Sequence, residues 1–147
     1  MLRVHCPREI ARLPLPQGVE RQGDILVVRR VFVPVLVSLV ELWCTTYAED
    51  LAPDAAPSWA VAAYVREKPG AVEHWKRPRE LRDSGQGDCE DHVIYEVVRL
   101  RRLGTVANPA IRPTRERRYH AIVQAQNELL DPSRAARAAR LALRSPV

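Results

Sequence analysis

A chain of 147 residues, 46% hydrophobic and 28% charged, has the length and composition of one globular domain with one core. Its 23 Lys and Arg against 18 Asp and Glu leave a net charge of +5, which permits acidic partners and does not indicate nucleic acid. Three widely spaced cysteines, Cys6, Cys44 and Cys89, exclude a disulfide framework, and no apolar run is long enough to span a bilayer.

Residues 1–24 are punctuated by Pro7, Pro14, Pro16, Gly18 and Gly23, so no element is assigned there. No apolar leader segment is evident, and a reducing, cytoplasmic setting is expected. His5 and Cys6 read as an incidental pair in a poorly packed N-terminus. Residues 25–28 are a short β-prone run, either a strand or a lead-in to the next element. Pro34 suits the first turn of a helix. Leu36, Leu39, Val40, Trp43 and Tyr47 recur at helical spacing, which predicts a helix from 34 to about 48 with Cys44 beside its buried face. After a loop over 52–57, Ser58 is the expected N-cap of a second helix from 59 to about 68, stopped by Pro69-Gly70.

Residues 71–86 are polar, with Trp75 and a single turn at 78–81. Gly85-Gln86-Gly87-Asp88 then leads abruptly into Cys89 and an apolar-periodic run that closes at Leu103-Gly104. Asp88 is the expected N-cap, Asp91 the capping-box acid, and Cys89 lies in the first turn on the buried stripe with Val93, Val97 and Leu100. Beyond Gly104, residues 106–111 hold a short strand interrupted by Pro109, and 112–118 form a basic connector. Residues 119–124 read as a strand and 128–131 as its hairpin partner. A helix over 133–143 carries Arg134, Arg137 and Arg140, with Arg144 just beyond. The expected class is α+β: helices of the N-terminal half, including the Cys89 helix, packed on a small antiparallel sheet from the C-terminal half. The chain reads as one domain over 1–147, with a motif-bearing core at about 58–134 and a basic helix or tail at 133–147.

A thiol at a helix N-terminus has a chemical use. The dipole and the free N–H groups favour a thiolate and can hold an oxyanion. Asp88, Glu90 and Asp91 oppose the thiolate, so a base is needed; the alternative is a small core cysteine. His120, on an apolar strand, is the candidate base, and Asp131, on the next strand, the candidate acid that fixes its tautomer. For these two to lie directly opposite, the hairpin must be centred on Ala125-Gln126. A turn at Asn127-Glu128 would set Asp131 opposite Gln124, roughly 13 Å along the strand from His120. Asp131 before Pro132 is also a good N-cap. Cys89 and His92 are spaced as half of a zinc site that His120 and Asp131 could complete. Trp75 and Gln86 could donate N–H groups to an oxyanion or substrate; otherwise Trp75 is core and Gln86 loop.

Three motifs in order carry a resemblance. They are Gly87-Asp88-Cys89-Glu90-Asp91 with the helix after it, Tyr119-His120-Ala121-Ile122-Val123, and Leu130-Asp131-Pro132-Ser133. Together they resemble the transglutaminase-like branch of the papain-like cysteine peptidases, and Trp75, Pro78 and Glu80 resemble the lead-in of bacterial and phage members. The resemblance implies a papain-like core, with Cys89 as nucleophile, His120 as general base and acid, and Asp131 as orienting acid. It implies a protein or peptide substrate with an amide carbonyl and no cofactor. Peptidase, amidase and transglutaminase activity all fit, as does a structural or interaction protein that keeps the fold without turnover. A phage-encoded member would be virion-associated. The arginine-rich C-terminus reads as a solvated face or as a dock for an acidic partner.

Overall fold

The computed structural model describes residues 1–68, 70–114 and 118–144. Pro69 as a helix stop, residues 115–117 of the basic connector and 145–147 of the tail lie outside the described residues.

The N-terminal stretch is built, contrary to expectation. Strands β1 (Leu2–His5), β2 (Val19–Gln22) and β3 (Ile25–Val28) form an antiparallel sheet in the order β1-β3-β2. The prolines fall between β1 and β2, where a single turn, α1 (Arg8–Ala11), is the only regular element. Val4, Ile10, Leu26 and Val28 are fully buried, and Cys6 is nearly so. His5-Cys6 therefore belongs to a packed element, and the His5 amide is held by the Glu73 carbonyl at 2.8 Å. A four-residue strand that buries little more than one side chain leaves almost no periodic signal, which is why the pattern of residues 1–24 does not reveal the sheet.

Helix α2 (Val33–Thr46) follows the expected pattern, with Pro34 in its first turn and Val35, Leu36, Leu39, Val40, Trp43 and Cys44 buried. The Trp43 indole donates to the Trp75 carbonyl at 3.2 Å, and the two rings meet edge to face at 5.2 Å.

The second expected helix is mostly absent. Helix α3 (Ser58–Val61) is a single turn, and the chain then extends into β4 (Ala63–Tyr64), parallel to β5 (Gln86–Gly87). Ser58 does not cap. Its amide donates to Glu96 at 2.7 Å, and its hydroxyl pairs with His92 Nδ1 at 2.9 Å. These buried polar partners on the next long helix, and the β4–β5 ladder, override the local helical preference. Between β4 and β5 lies α4 (Pro78–Ser84), closed by Gly85 in the left-handed region at φ 70°.

Helix α5 (Cys89–Arg102) occupies the centre, packed against α2, α4 and the C-terminal sheet. That sheet has the order β6-β7-β8, with β6 (Ala107–Pro113), β7 (Tyr119–Ala125) and β8 (Glu128–Leu130) antiparallel. Pro109 is tolerated because β6 is an edge strand. The sheet is covered by α2 over β6 and α5 over β7, so the class is α+β with N-terminal-half helices on a small antiparallel sheet. Helix α6 (Pro132–Arg144) closes the chain against α3, β4 and α5. No helix among the described residues is long and apolar enough to cross a membrane.

Candidate active site

The site begins where β5 turns into α5. Asp88 and Asp91 form a reciprocal capping box: the Asp91 amide donates to Asp88 Oδ1 at 3.2 Å, and the Asp88 amide donates to Asp91 Oδ2 at 3.0 Å. Asp91 Oδ1 also takes the Lys76 amide at 2.7 Å, tying the approach to α4 to this turn. Gly87 is required by space. A Cβ there would lie 2.5 Å from Leu81 Cδ1 and 2.8 Å from both Asp91 Cβ and Oδ2. Gly87→Ala must therefore displace Leu81 and open the capping box. Overpacking and a lost cap together are expected to cost about 2–4 kcal/mol in denaturant unfolding. A variant within about 0.5 kcal/mol of the parent would show that this turn relaxes freely.

Cys89 is the first residue of α5 and lies on the floor of an open cleft of about 1070 Å³ that His120 and Asp131 also line. The residue is 8% exposed, and its thiol donates to Glu90 Oε2 at 3.2 Å. Burial pushes the thiol pKa well above its ordinary value, and the Glu90 and Asp88 carboxylates push it further. The Ala121 amide, one residue past His120 on β7, opposes them as a donor to the sulfur. At rest the sulfur is a protonated thiol directed at Glu90.

The hairpin adopts a register between the two considered from sequence. Ala125 pairs with Glu128 and Val123 with Leu130, so the turn is Gln126-Asn127, with Gln126 at φ 54°. Extending the ladder by one residue would set Asp131 opposite Ile122, two residues and about 6.6 Å along the strand from His120. Both side chains then leave the same face as diagonal neighbours, within mutual reach. His120 Nε2 lies 2.8 Å from Asp131 Oδ2. The other oxygen of Asp131 caps α6, accepting from the Arg134 amide at 3.1 Å and the Ser133 hydroxyl at 2.9 Å. One carboxylate thus serves both roles that the sequence set in competition. Burial raises the Asp131 pKa, but the Arg134 amide, His120 and Ser133 outweigh it and hold the carboxyl below its usual range.

With Nε2 on Asp131, only Nδ1 of His120 is left to exchange a proton within the cleft. Tyr119, beside His120, anchors β7 by donating its hydroxyl to the Val31 carbonyl at 2.8 Å.

The remaining candidates lie elsewhere. The Trp75 indole donates to Glu73 Oε2 at 2.8 Å, and the ring is buried against Trp43. Gln86 is exposed on β5 and is not among the residues lining the cleft. His92 is fully buried with both ring nitrogens engaged, Nδ1 by Ser58 and Nε2 by the Ala63 carbonyl at 3.2 Å, so it has no nitrogen to offer a metal beside Cys89. Among the described residues no group of three or more His, Cys, Asp or Glu side chains is arranged to hold a metal ion.

Sequence reasoning does not single out Glu67, Glu73 and Glu90 as a group, yet with Asp88 they line the cleft that holds Cys89. Burial raises the pKa of each, and mutual repulsion with Asp88 raises it further. Glu67 is pushed up to about 7. A carboxyl whose pKa is higher when folded binds more protons in the folded state, so stability falls as pH rises from its unfolded value toward its folded one. Between about pH 5 and about pH 7.5 this group should cost about 1 kcal/mol, after a discount for the solvent that screens a half-exposed side chain. Melting temperatures of the parent and Glu67→Gln across that window provide the check. The variant should lose part of the decline, and identical slopes would dismiss the assignment. The signal for this cluster is present in the sequence only as scattered acids, because chain separation hides that Glu67, Glu73 and Glu90 share a wall.

Comparison with protein-family models, with curated proteins and with solved structures finds no match to this chain.

Proposed function

We propose that the protein is a thiol-dependent acyl-transfer enzyme acting on amides, a peptidase first, with amidase and transglutaminase activity as variants of the same chemistry. The observation that carries this reading is the His120–Asp131 contact of 2.8 Å in the cleft whose floor holds Cys89. A cysteine opening a helix that packs on the sheet strand bearing the histidine, with an acid at the end of the next strand, also accords with the papain-like, transglutaminase-like core that the motifs resemble.

In this mechanism a substrate carbonyl enters the cleft and displaces the thiol from Glu90. The sulfur passes its proton to His120 Nδ1, and the Asp131 carboxylate stabilises the imidazolium through Nε2. The thiolate attacks the carbonyl carbon. The free amide at the start of α5 supports the oxyanion. His120 returns its proton to the departing amine, leaving a thioester on Cys89. Water or a second amine then takes the acyl group, and Cys89 recovers its proton.

The test is acylation by a p-nitrophenyl ester, followed at the peptide carrying Cys89 by mass spectrometry. Cys89 of the folded protein should acylate faster than Cys89 of the urea-unfolded chain and should turn over. His120→Ala should remove the advantage. Equal rates in folded and unfolded chains would sink the reading. The resting contact of the thiol with Glu90 favours a second reading, a binding protein that retains the fold without turnover, and that outcome would support it.

A further inference from the structure

The charges lining the Cys89 cleft are sorted by depth. Its basic side chains, Arg66, Lys68, Arg112, Arg118, Arg134 and Arg137, are all exposed. Its carboxylates, Glu67, Glu73, Asp88, Glu90 and Asp131, are all buried or half-buried. The carboxylates also face protein donors. Glu67 takes the His74 amide at 3.3 Å, Glu73 the Trp75 indole, Asp88 the Asp91 amide, Glu90 the thiol and Asp131 the His120 ring. A molecule entering the cleft therefore meets positive charge first. That charge comes from three separate segments: the stretch after β4, the β6–β7 arm and α6. It is a property of the opening rather than of one solvated helix face. Arg137 is also positioned, with its guanidinium 4.0 Å above the Tyr64 ring. Such stacking orients the group while leaving N–H donors for a carboxylate.

We propose that the acyl donor is a peptide carrying carboxylate side chains on the residues flanking its reactive amide, held by this basic rim. The assignment rests on the acyl-transfer reading above. A polynucleotide would satisfy the rim but presents no amide carbonyl for the thiolate to attack in its sugar-phosphate backbone. A basic peptide would meet repulsion at the entrance before reaching the buried acids.

The experiment alkylates Cys89 with iodoacetate, an anion, and with iodoacetamide, its neutral analogue. Any change in thiol acidity affects both reagents alike, so their rate ratio isolates the charge of the opening. In the folded protein at low salt the iodoacetate-to-iodoacetamide ratio should exceed that of the unfolded chain by roughly tenfold, and it should collapse at high salt. Arg66→Gln/Lys68→Gln and Arg112→Gln/Arg134→Gln should each lower it. Arg12→Gln/Arg140→Gln, exposed and outside the cleft, should not. In a second arm, a glutamate-rich peptide should slow iodoacetamide at Cys89, whereas a lysine-rich peptide of equal length should not. A ratio at or below that of the unfolded chain, or protection by oligothymidylate as strong as by the glutamate peptide, would overturn the substrate assignment. Ester acylation at Cys89 would survive that result, whereas loss of His120-dependent acylation would remove the enzymatic reading itself, so the two failures are separable.

Discussion

Asp131→Asn should fold like the parent and lose nearly all thiol chemistry. The parent carboxylate divides its oxygens, Oδ2 to His120 and Oδ1 to the start of α6. Asparagine keeps one carbonyl oxygen and caps nearly as well as aspartate, so the helix remains satisfied. Its amide nitrogen then replaces Oδ2 and can only donate. Facing a donor, His120 Nε2 must act as acceptor, and the ring proton moves to Nδ1, the nitrogen that has to receive the thiol proton. The amide also cannot offset the charge of the imidazolium. For serine triads the corresponding loss is about ten-thousandfold, and a loss of roughly a thousandfold or more is expected here.

Stability should fall by about 1 kcal/mol at most at neutral pH, because the helix cap is kept and solvent screens the charge of this half-buried carboxylate. Its pKa is depressed in the folded state, so its stabilisation is present above the unfolded value near about 4 and disappears as pH falls through the folded value. The Asn variant should lack that acid-dependent component. Ester turnover and urea unfolding on the same preparation decide the matter: an Asn variant with full turnover would take Asp131 out of the mechanism and leave it a helix cap.

What the sequence disclosed of this arrangement tracks the strength of local signals. Helix α2 announces itself because it buries a stripe at helical spacing over 14 residues; α5, buried on every face from Asp91 to Val98, announces itself through its apolar repeat at Cys89, Val93 and Val97 and its capping residues. The Asp88–Asp91 box was legible because capping is a rule about neighbours in the chain. The N-terminal sheet was hidden, since no strand in it exceeds four residues and its two hairpin partners bury different numbers of side chains. The helix expected after Ser58 failed for a nonlocal reason. Ser58 is held by Glu96 and His92, more than thirty residues away, and no local propensity encodes that contact. The hairpin register turned on which residue accepts a positive φ. Gln126 does so without being glycine or asparagine, so the usual turn signature was missing.

The pairing of His120 with Asp131 survives a two-residue offset because strand parity keeps both on one face. Chemistry-bearing residues were readable as types at suggestive positions. Their actual partners, above all the Glu90 contact, required the fold.

Glu90→Gln should make Cys89 more reactive, not less. Thiol and carboxylate lie 3.2 Å apart: the Glu90 charge and its hydrogen bond to the S–H disfavour the thiolate, while the same S–H donor favours the Glu90 carboxylate. Asp88 at the start of α5 repels both anions and Glu73, from the segment before α4, repels that of Glu90, while the Ala121 amide of β7 favours the thiolate. Glutamine keeps the shape and an oxygen that can accept the S–H, but it carries no charge. The Cys89 pKa should therefore fall toward the free-thiol value of about 8.5. Below that pKa each unit of decrease yields tenfold more thiolate. The thiolate's intrinsic nucleophilicity declines with a Brønsted slope near 0.4–0.5, so the net gain in iodoacetamide rate is roughly threefold per unit. The pH of half-maximal alkylation should move down by the full change in pKa. Turnover should respond differently. If substrate displaces the thiol from Glu90 before proton transfer, the variant should show a raised kcat/KM at neutral pH and little change in kcat. A drop in both alkylation and turnover, like that expected of His120→Ala, would instead make Glu90 the group that receives the thiol proton, and His120 would lose the role of base assigned to it above.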